Sequence, residues 1–313
     1  MPPDDPRGVA ALHVPGTGDF EIHRLGAGLV NETYRVLRAG NAYAMRLAVS
    51  NSDDLGLDRA WEERVLEQAI AADLAPAMEY CDPQRGILIA RWVDGRLWSS
   101  ADAREPENVS RMAGFMRRIH ALSMPAPARA MNPRKWIDYY GAALSRANRQ
   151  GDVSAETSAR PLAWGARDLA AAAARQLAAL AMLPSVDSVV CHSDLHVLNL
   201  IDRGDSLVLL DWEYAHASDP LWDLAGWSAN NDFGDELAHD LLASYAGRPP
   251  PRDEYLRLRI LSWLYDYVCL LWSELYLSPH RGARSGVAVQ GSATADGVAA
   301  RAEELAARLN ASK

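Results

Sequence analysis

Most strand-like segments in this chain lie in its first 92 residues, and helical apolar spacing dominates the remainder apart from a loop and hairpin within 191–215. Alternating or β-branched runs separated by glycine turns predict strands at 20–24, 33–38, 42–49, 77–81 and 86–92. Beyond residue 95 the spacing predicts helices at 107–122, 135–148, 161–182, 235–246 and 253–277. Strands first and helices afterwards indicate an α+β fold in two lobes: a small antiparallel-sheet lobe over 1–93 and a mainly helical lobe over 94–313.

One helix is predicted inside the first lobe. Asp58 is a suitable N-cap for a helix over 59–72, because its side chain can accept a hydrogen bond from the first turn. The apolar residues from Trp61 to Ala69 fall on one face of this helix.

Composition and charge argue against several classes of function. The formal net charge of -9 argues against non-specific nucleic-acid binding, which requires a positive surface, and is compatible with a cationic small substrate. The three cysteines have neither paired nor metal-type spacing, and the first residues lack a basic-then-apolar leader. No apolar run approaches the roughly 18 residues of a membrane span. We therefore expect a cytoplasmic protein that binds neither nucleic acid nor membrane, in an oligomeric state that the sequence does not indicate.

The segment 191–215 interrupts the helices with closely spaced polar residues: H-x-D-x-x-x-x-N from His192 to Asn199, then a turn, an apolar run and Asp211. Phosphoryl transfer requires an acidic residue beside the acceptor hydroxyl and oxygen ligands for Mg²⁺. Asp194 can take the first role, while Asn199 and Asp211, returned by a hairpin, can hold the metal. A single Asp is more often a turn cap, but the whole set predicts a site. His192 is expected to brace the loop by hydrogen bonds.

These motifs resemble those of the choline kinase and aminoglycoside phosphotransferase superfamily, in particular its bacterial choline, ethanolamine and thiamine kinase-like members. "HSDLHVLN" resembles the catalytic loop, and "LLDWEYAHASDPLWDLA" resembles the metal-binding segment. "LGAGLVNETYRV" resembles the nucleotide loop, whose candidate residues are Gly26, Gly28 and Asn31. The resemblance spans residues 20–277 and implies a two-lobed, protein-kinase-like fold. It also implies ATP and Mg²⁺ as cofactors and a small-molecule alcohol as the substrate.

The resemblance further implies a phosphate-binding cation and a hinge. Arg46 occupies the strand position at which choline kinases carry Arg, and its carboxylate partner is expected to be Glu62, with Glu63 as the alternative. Asp219 and Asp223 match positions that stabilise the catalytic lobe. The connection between the lobes, where backbone groups hydrogen-bond adenine, is matched by Arg91, Trp92 and Val93.

The acceptor site is expected between the catalytic loop and the helix over 253–277, where aromatic residues cluster in "WLYDYVCLLWSELY". Aromatic rings with carboxylates bind ammonium groups, although a stripe of rings at helical spacing is more often core packing. Choline kinases usually carry a W-x-x-W pair in this helix; Trp272 matches its second Trp, and Cys269 stands at the first position. Asn230 stands where a Glu is often found. The residues expected to bind the substrate are Asp194, His196, Asn230, Tyr265 and Trp272.

Two functions of different class remain open. The first is an ATP-dependent kinase of a small cationic metabolite, with choline, ethanolamine and thiamine unranked and an aminoglycoside or another sugar as the alternative acceptor. The second is a non-catalytic relative that binds a nucleotide or metabolite. Retention of Asp194, Asn199 and Asp211 together favours the kinase, because a binding module has little need of all three.

Overall fold

The computed structural model describes residues 5–27, 30–48, 55–151, 166–278 and 295–312. A five-stranded antiparallel sheet lies in the N-terminal part, and the rest of the described chain is mainly helical. The predicted α+β arrangement of a small sheet lobe and a larger helical lobe is therefore confirmed.

The sheet of the first lobe contains the strands β1 (Phe20–Ala27), β2 (Asn31–Arg38), β3 (Asn41–Ala48), β4 (Met78–Asp82) and β5 (Ile87–Arg91). Their order across the sheet is β1-β2-β3-β5-β4. Successive side chains of a strand point to opposite faces, and Tyr43, Met45 and Leu47 of β3 are buried in one apolar cluster. Arg46 lies between two of these residues, so its side chain points to the other face of the sheet.

The helix α1 (Pro6–His13), which the sequence analysis did not predict, packs on the apolar face of this sheet. Asp5 caps its first turn by accepting two backbone hydrogen bonds, at 3.2 and 3.0 Å. At its other end, the guanidinium of Arg38 donates to three carbonyl oxygens. Val9 and Val14 are buried against the sheet, so α1 completes the core of the first lobe.

The helix α2 (Arg59–Ala71) joins the two lobes. Asp58 caps it as predicted, accepting from the Trp61 amide at 2.9 Å. The buried residues of α2, including Trp61 and Val65, belong to the large apolar core shared with the helical lobe and not to the core of the sheet. Packing of the helical lobe therefore determines where α2 holds its side chains.

The connection between the lobes passes through Gly95. The strand that follows Gly95, β6 (Arg96–Leu97), already pairs with the segment over 201–202 of the second lobe. A Cβ at Gly95 would lie 2.4 Å from Cγ2 of Ile201 and 2.7 Å from the carbonyl oxygen of Asp202, so no larger residue fits. The lobe boundary between residues 93 and 94 falls in this connection and stays a prediction.

The second lobe contains short strands and the remaining helices. Its strands are β7 (Val189–Cys191), β8 (Leu200–Asp202), β9 (Leu207–Leu209) and β10 (His216–Ser218). Its helices are α3 (Ser100–Arg104), α4 (Pro106–His120), α5 (Pro133–Gly151), α6 (Ala166–Ala181), α7 (Leu221–Asn230), α8 (Asp235–Ala246), α9 (Arg252–Leu277) and α10 (Ala295–Ala311). None of the helices within the described ranges has the length and apolar character needed to cross a bilayer.

The long helix α9 is the centre of this lobe and packs against α5, α6, α7 and α10. The sequence predicted α9 but not α7, whose residues are buried on all sides from Leu221 to Ala229. A helix without a polar face shows no 3.6-residue alternation of apolar and polar residues. The periodicity that revealed the predicted helices is therefore absent in α7.

Candidate active site

The loop over 192–199 follows β7, and Asp223 of α7 holds its beginning. The Asp223 carboxylate accepts from the amides of His192 at 2.9 Å and Ser193 at 2.7 Å, and His120 of α4 donates to it at 3.1 Å. Ser193 has φ = 70°, a left-handed conformation that costs energy outside glycine. The three donors to one buried carboxylate stabilise this turn of the loop.

His192 braces the loop by hydrogen bonds, as predicted. Its Nε2 donates to the carbonyl oxygen of Leu210 at 3.0 Å, and its Nδ1 accepts from the Asp194 amide at 3.3 Å. Burial lowers the pKa of His192, so the neutral ring can donate on one side and accept on the other.

Asp194 presents a partly exposed carboxylate, with 31% of its side-chain surface accessible. Its Oδ2 lies 3.5 Å from Nε2 of His196 and accepts a 3.3 Å hydrogen bond from Nδ2 of Asn199. Burial alone would raise the pKa of Asp194, but His196, His192 and Asn199 together hold it below the ordinary value. The carboxylate is therefore ionised and can accept a proton near neutral pH.

A β-hairpin brings Asn199 and Asp211 together. Leu200 of β8 pairs with Leu209 of β9, and the amide of Leu210 donates to the carbonyl oxygen of Asn199 at 2.8 Å. The side-chain amide nitrogen of Asn199 donates to Asp194, which leaves its amide oxygen for another partner. Asp211 has the left-handed values φ = 59° and ψ = 66°, and its carboxylate is 34% accessible.

Arg46 connects the two lobes through carboxylates. Its guanidinium lies 2.6 Å from Glu62 of α2 and 2.7 Å from Asp211. Of the two glutamates considered as its partner, the structure thus places Glu62, and not Glu63, against Arg46. Burial alone would raise the pKa of Glu62, but Arg46 and Arg59 lower it below the ordinary value.

Arg59 and Glu213 extend this ion-pair network, and neither was singled out from the sequence. Nη1 of Arg59 lies 2.9 Å from Glu62 and 2.7 Å from Glu213, and both residues of the second pair are at most 7% exposed. Asn31 donates to Glu213 at 2.7 Å and accepts from Arg59 at 2.9 Å. Glu213 lies two positions after Asp211, but no spacing in the sequence connects it with α2.

The network has one more negative charge than positive charges, and the additional carboxylate is that of Asp211. The two arginines of the network balance its two glutamates, so the third carboxylate, Asp211, adds an uncompensated negative charge. Burial and repulsion from Glu213 raise the pKa of Asp211 to about 7, despite the nearby Arg46. Carboxylate and amide oxygens suit Mg²⁺, and a divalent cation would supply the missing positive charge. Asn199 and Asp211 therefore fit a Mg²⁺ site.

Two of the three candidate residues of the nucleotide loop, Gly26 and Asn31, lie at the end of the sheet where β1 meets β2. Gly26 is in β1 beside an irregularity of the β1–β2 register, where Gly26 is paired with Thr33. Gly28 lies outside the described residues. Both polar ends of the Asn31 side chain are engaged by Glu213 and Arg59, so this residue links the loop to the ion-pair network, and its contact with a nucleotide stays a prediction.

The backbone N–H groups of the three hinge candidates differ in whether they already have a hydrogen-bond partner. The backbone N–H of Arg91 donates to Ala77, and that of Trp92 donates to Ala42, both within the first lobe's sheet. These two N–H groups are already used within the sheet, whereas the sequence analysis considered N–H and carbonyl groups alike, so the assignment of Arg91 and Trp92 to the nucleotide site stays a prediction. Among the three candidates, Val93 is the one whose amide has no backbone partner in the part of the chain that the structure describes.

The predicted substrate residues separate into two groups. Nδ2 of Asn230 donates to the carbonyl oxygen of Leu195 at 2.9 Å and to the hydroxyl of Tyr265 at 3.2 Å. Tyr265 is 4% exposed and packs tightly on Gly226, where a Cβ would lie 2.8 Å from its ring. Asn230 thus joins the loop over 192–199 to Tyr265 through its amide nitrogen, and the role of both residues in substrate binding stays a prediction.

Trp272 is half-buried and lies in an aromatic group. Its indole N–H donates to the hydroxyl of Tyr214 at 2.8 Å, and its ring stacks on Tyr276 with centroids 5.4 Å apart. Burial raises the pKa of Tyr140 and of Tyr214 well above the ordinary value, and the negative charge of Asp194 adds to both shifts. Tyr140 is only 2% exposed, whereas Tyr214 is half-buried and bonded to Trp272.

Sequence reasoning missed the aromatic residues of α5. Trp136 stacks on Tyr140 at 5.4 Å and lies 6.4 Å from the ring of Tyr214. The guanidinium of Arg129 lies 5.5 Å from the Trp136 ring, so this ring already has a cation. The only available signal was the group "WIDYY" inside a predicted amphipathic helix, and such rings are more often core packing.

Comparison with known proteins identifies the family and the fold of this chain. The sequence fits the family model described as "Phosphotransferase enzyme family" over residues 21–261. The fold is similar to a choline/ethanolamine kinase family protein from Mesorhizobium loti, with 24% identity, a TM-score of 0.72, and coverage of 97% of this chain and 92% of that one. It is also similar to choline kinase LicA from Streptococcus pneumoniae, with 21% identity, a TM-score of 0.70 and 97% coverage of both chains.

A curated relative shares a shorter stretch. Protein LicA of Haemophilus influenzae is 29% identical over 91 residues, which is 27% of this chain and 34% of that protein. The structural similarities confirm the protein-kinase-like, two-lobed architecture expected from the motifs. Since the family model covers most of the 313 residues, the chain belongs to the phosphotransferase enzyme family.

Proposed function

We propose that this phosphotransferase moves the γ-phosphoryl group of ATP to the hydroxyl group of a small cationic alcohol of the choline, ethanolamine or thiamine class. The observation that carries the proposal is the pair of aromatic rings of Trp272 and Tyr214, joined by a 2.8 Å hydrogen bond, together with the ionised and partly exposed Asp194. Aromatic faces together with a carboxylate attract ammonium and thiazolium groups and bring the attached hydroxyl to Asp194.

Asp194 is assigned the proton transfer. In the reaction, the acceptor oxygen bonds to the γ-phosphorus, the bond from that phosphorus to the bridging oxygen breaks, and ADP leaves. The hydroxyl proton passes to the carboxylate of Asp194, which is ionised and partly exposed. His196 lies 3.5 Å from that carboxylate, and its pKa is raised by Asp194 although burial opposes the charge, so it helps to orient the carboxylate.

Arg46, Asn199 and Asp211 are assigned the phosphates and the metal. Bound Mg²⁺ would neutralise charge on the β- and γ-phosphates, held by the oxygens of Asn199 and Asp211. Arg46 lies 2.7 Å from Asp211 and can donate to phosphate oxygens from the same position. Glu62 keeps the guanidinium in place through the 2.6 Å ion pair.

Arg129 decides which rings remain for the substrate. Because its guanidinium already lies over Trp136, the rings left to contact a cationic acceptor are those of Tyr214 and Trp272. Cys269 is small. Burial raises the pKa of its thiol, and the negative charge of Asp194 adds to the rise. A site with one Trp and a thiol suits a primary amine or a flat ring better than a trimethylammonium group, which is best enclosed by several rings.

The test is product formation from a panel of alcohols with ATP and Mg²⁺. Choline, ethanolamine, thiamine, an aminoglycoside and a neutral sugar would each be incubated with the enzyme, and phosphorylated product measured by mass spectrometry. We expect product from at least one of the first three, formed about 100-fold more slowly or slower still by Asp194→Asn. Product only from the aminoglycoside or the sugar would contradict the proposed acceptor class.

A further inference from the structure

The helix α10, at the C-terminal end of the described chain, is docked on the second lobe. It packs against α9. Four of its apolar residues recur at helical spacing and are buried in the large core of that lobe: Ala302, Leu305, Ala306 and Leu309. A helix anchored by such a stripe can hold a polar side chain at a fixed position among the neighbouring helices.

Arg308 of α10 contacts two other helices. Its Nη2 pairs at 2.5 Å with the carboxylate of Asp266 in α9, a side chain that is 10% exposed. Its Nη1 lies 3.4 Å from the carbonyl oxygen of Ala229, in the last turn of α7, and 3.5 Å from Asp232. The last carbonyl groups of a helix lack partners inside the helix and carry partial negative charge, which a cation stabilises. Arg308 therefore links the end of α7 to α9.

The end of α7 that Arg308 contacts also carries Asn230. Nδ2 of Asn230 donates to the carbonyl oxygen of Leu195 at 2.9 Å and to the hydroxyl of Tyr265 at 3.2 Å. Leu195 directly follows the proposed catalytic aspartate in the loop over 192–199, and Tyr265 directly precedes the ion-pair partner of Arg308 in α9. A continuous series of contacts thus leads from the guanidinium of Arg308 to the loop.

We propose that Arg308 is a positioning residue, which fixes Asn230 against the loop over 192–199 and thereby orients the carboxylate of Asp194 toward the acceptor hydroxyl. Its effect on catalysis rests on the proposed function, whereas its effect on the loop does not. Without the guanidinium, the end of α7 keeps Arg104 of α3, which donates to a carbonyl oxygen there at 3.0 Å, but loses its ionic link to α9. The hydrogen bond from Asn230 to the loop then opens more often.

Hydrogen–deuterium exchange of the full chain, without substrate, measures the loop directly. In Arg308→Met, the amides over 192–199 should exchange about tenfold faster than in the wild type, because the loop opens locally more often. Amides of β2 and β3 should keep their rates, since these strands lie in the other lobe. Arg301→Met is the matched control. Arg301 is on the same helix and 34% exposed, against 31% for Arg308, and its ion pair with Glu304, at 2.8 Å, lies within the helix itself. In this control the loop should exchange as in the wild type.

Kinetics with an alcohol that the enzyme phosphorylates measures the consequence for catalysis. A misplacement of about 1 Å can cost about 100-fold in rate, so a loosened loop should lower kcat by about tenfold in Arg308→Met. The dissociation constant of ATP should stay within about twofold, because the nucleotide loop is not disturbed. Asp266→Asn removes the charge partner from the other side and should also accelerate exchange of the loop, which keeps the test valid if Arg308→Met does not fold. The two changes together should add little to Arg308→Met alone.

Several results would overturn the proposal. Loop exchange equal to that of the wild type in Arg308→Met and in Asp266→Asn would show that the ion pair does not restrain the loop. Equal acceleration in Arg301→Met, or equal acceleration of β2 and β3, would make the effect one of general stability. An unchanged kcat beside faster loop exchange would remove the catalytic role of Arg308 and leave the proposed function standing. Failure of the wild type to phosphorylate any alcohol of the panel would contradict the proposed function, while the exchange experiment would still decide the role of Arg308 in the loop.

Discussion

Replacing Arg59 by Met should destabilise the fold strongly, because this residue is a buried charge between two carboxylates. Its guanidinium contacts Glu62 at 2.9 Å and Glu213 at 2.7 Å, and all three side chains are at most 7% exposed. After the change, Glu62 still has its ion pair with Arg46 at 2.6 Å. Glu213 has only the hydrogen bond from Asn31 and the more distant Arg46, at 3.8 Å. Glu213 thus becomes a buried anion with little compensation.

The expected magnitude follows from that orphaned charge. Breaking a buried ion pair on one side costs about 3–5 kcal/mol of unfolding free energy. With a denaturant slope of about 3 kcal/mol per molar urea, Arg59→Met should lower the unfolding midpoint by about 1–1.7 M. The exposed pair of Arg24 and Glu32 offers a matched control, since Arg24→Met should cost less than about 1 kcal/mol.

A double-mutant cycle separates the pair from its surroundings. Arg59→Met combined with Glu213→Gln removes both charges, so the double variant should be at least as stable as Arg59→Met alone. The coupling energy between the two positions should then be about 2–3 kcal/mol. Urea unfolding followed by tryptophan fluorescence measures all four proteins. Simple additivity of the two single changes would show that Arg59 and Glu213 do not act as a pair, and would refute the buried ion-pair network.

Further outcomes are expected at the catalytic loop and the acceptor site. Asp194→Asn should lower kcat by about 100-fold or more, the scale of a positioned acid–base group, without changing ATP affinity in calorimetry. Asp211→Ala should abolish the effect of Mg²⁺ on ATP binding; an undiminished Mg²⁺ effect would exclude Asp211 as a ligand. Trp272→Ala should raise KM for the cationic acceptor by about two- to thirtyfold, for a cation–π contact of about 0.5–2 kcal/mol, and an unchanged KM would make this ring core packing. Burial lowers the pKa of His216 to about 4, so below about pH 6.5 the unfolded chain takes up a proton that the folded one does not. Stability should therefore fall by about 2 kcal/mol between pH 7 and 5, and His216→Gln should remove this part of the slope while His239→Gln keeps it.

The elements predicted from local patterns were found where those patterns are strong. The helix after Asp58 begins at its cap, and the strand around Arg46 shows the alternation that the sequence predicted. The helix over Leu221–Asn230 escaped because every side of it is buried, which removes the periodic signal. The helix α1 escaped for another reason: its cap and first proline were present in the sequence, but a short N-terminal segment without a predicted partner gave no ground for assigning it.

The proximity of Asp194, Asn199 and Asp211 could be predicted because the three residues are close in the sequence. Asp194, Asn199 and Asp211 lie within 18 residues, and a single hairpin brings them together. The ion pair of Arg59 with Glu213 could not be predicted, because 154 positions separate the two residues and only the packing of α2 against the turn after Asp211 joins them. A buried charge network of this kind is a property of the assembled lobes.

The residues of the proposed acceptor site could be predicted only in part from the sequence, and the hydrogen bonds of the structure distinguish among them. Tyr265 and Trp272 are two rings on one helix, and the sequence could not separate wall from core between them. The structure separates them: Tyr265 is 4% exposed with its hydroxyl bound to Asn230, whereas Trp272 is half-buried and reaches Tyr214. Tyr214 follows Asp211 by three residues, so the turn that positions the proposed metal ligand also positions a ring of the proposed acceptor site. A substitution in this turn should therefore affect metal binding and acceptor binding together, whereas Trp272→Ala should affect the acceptor alone.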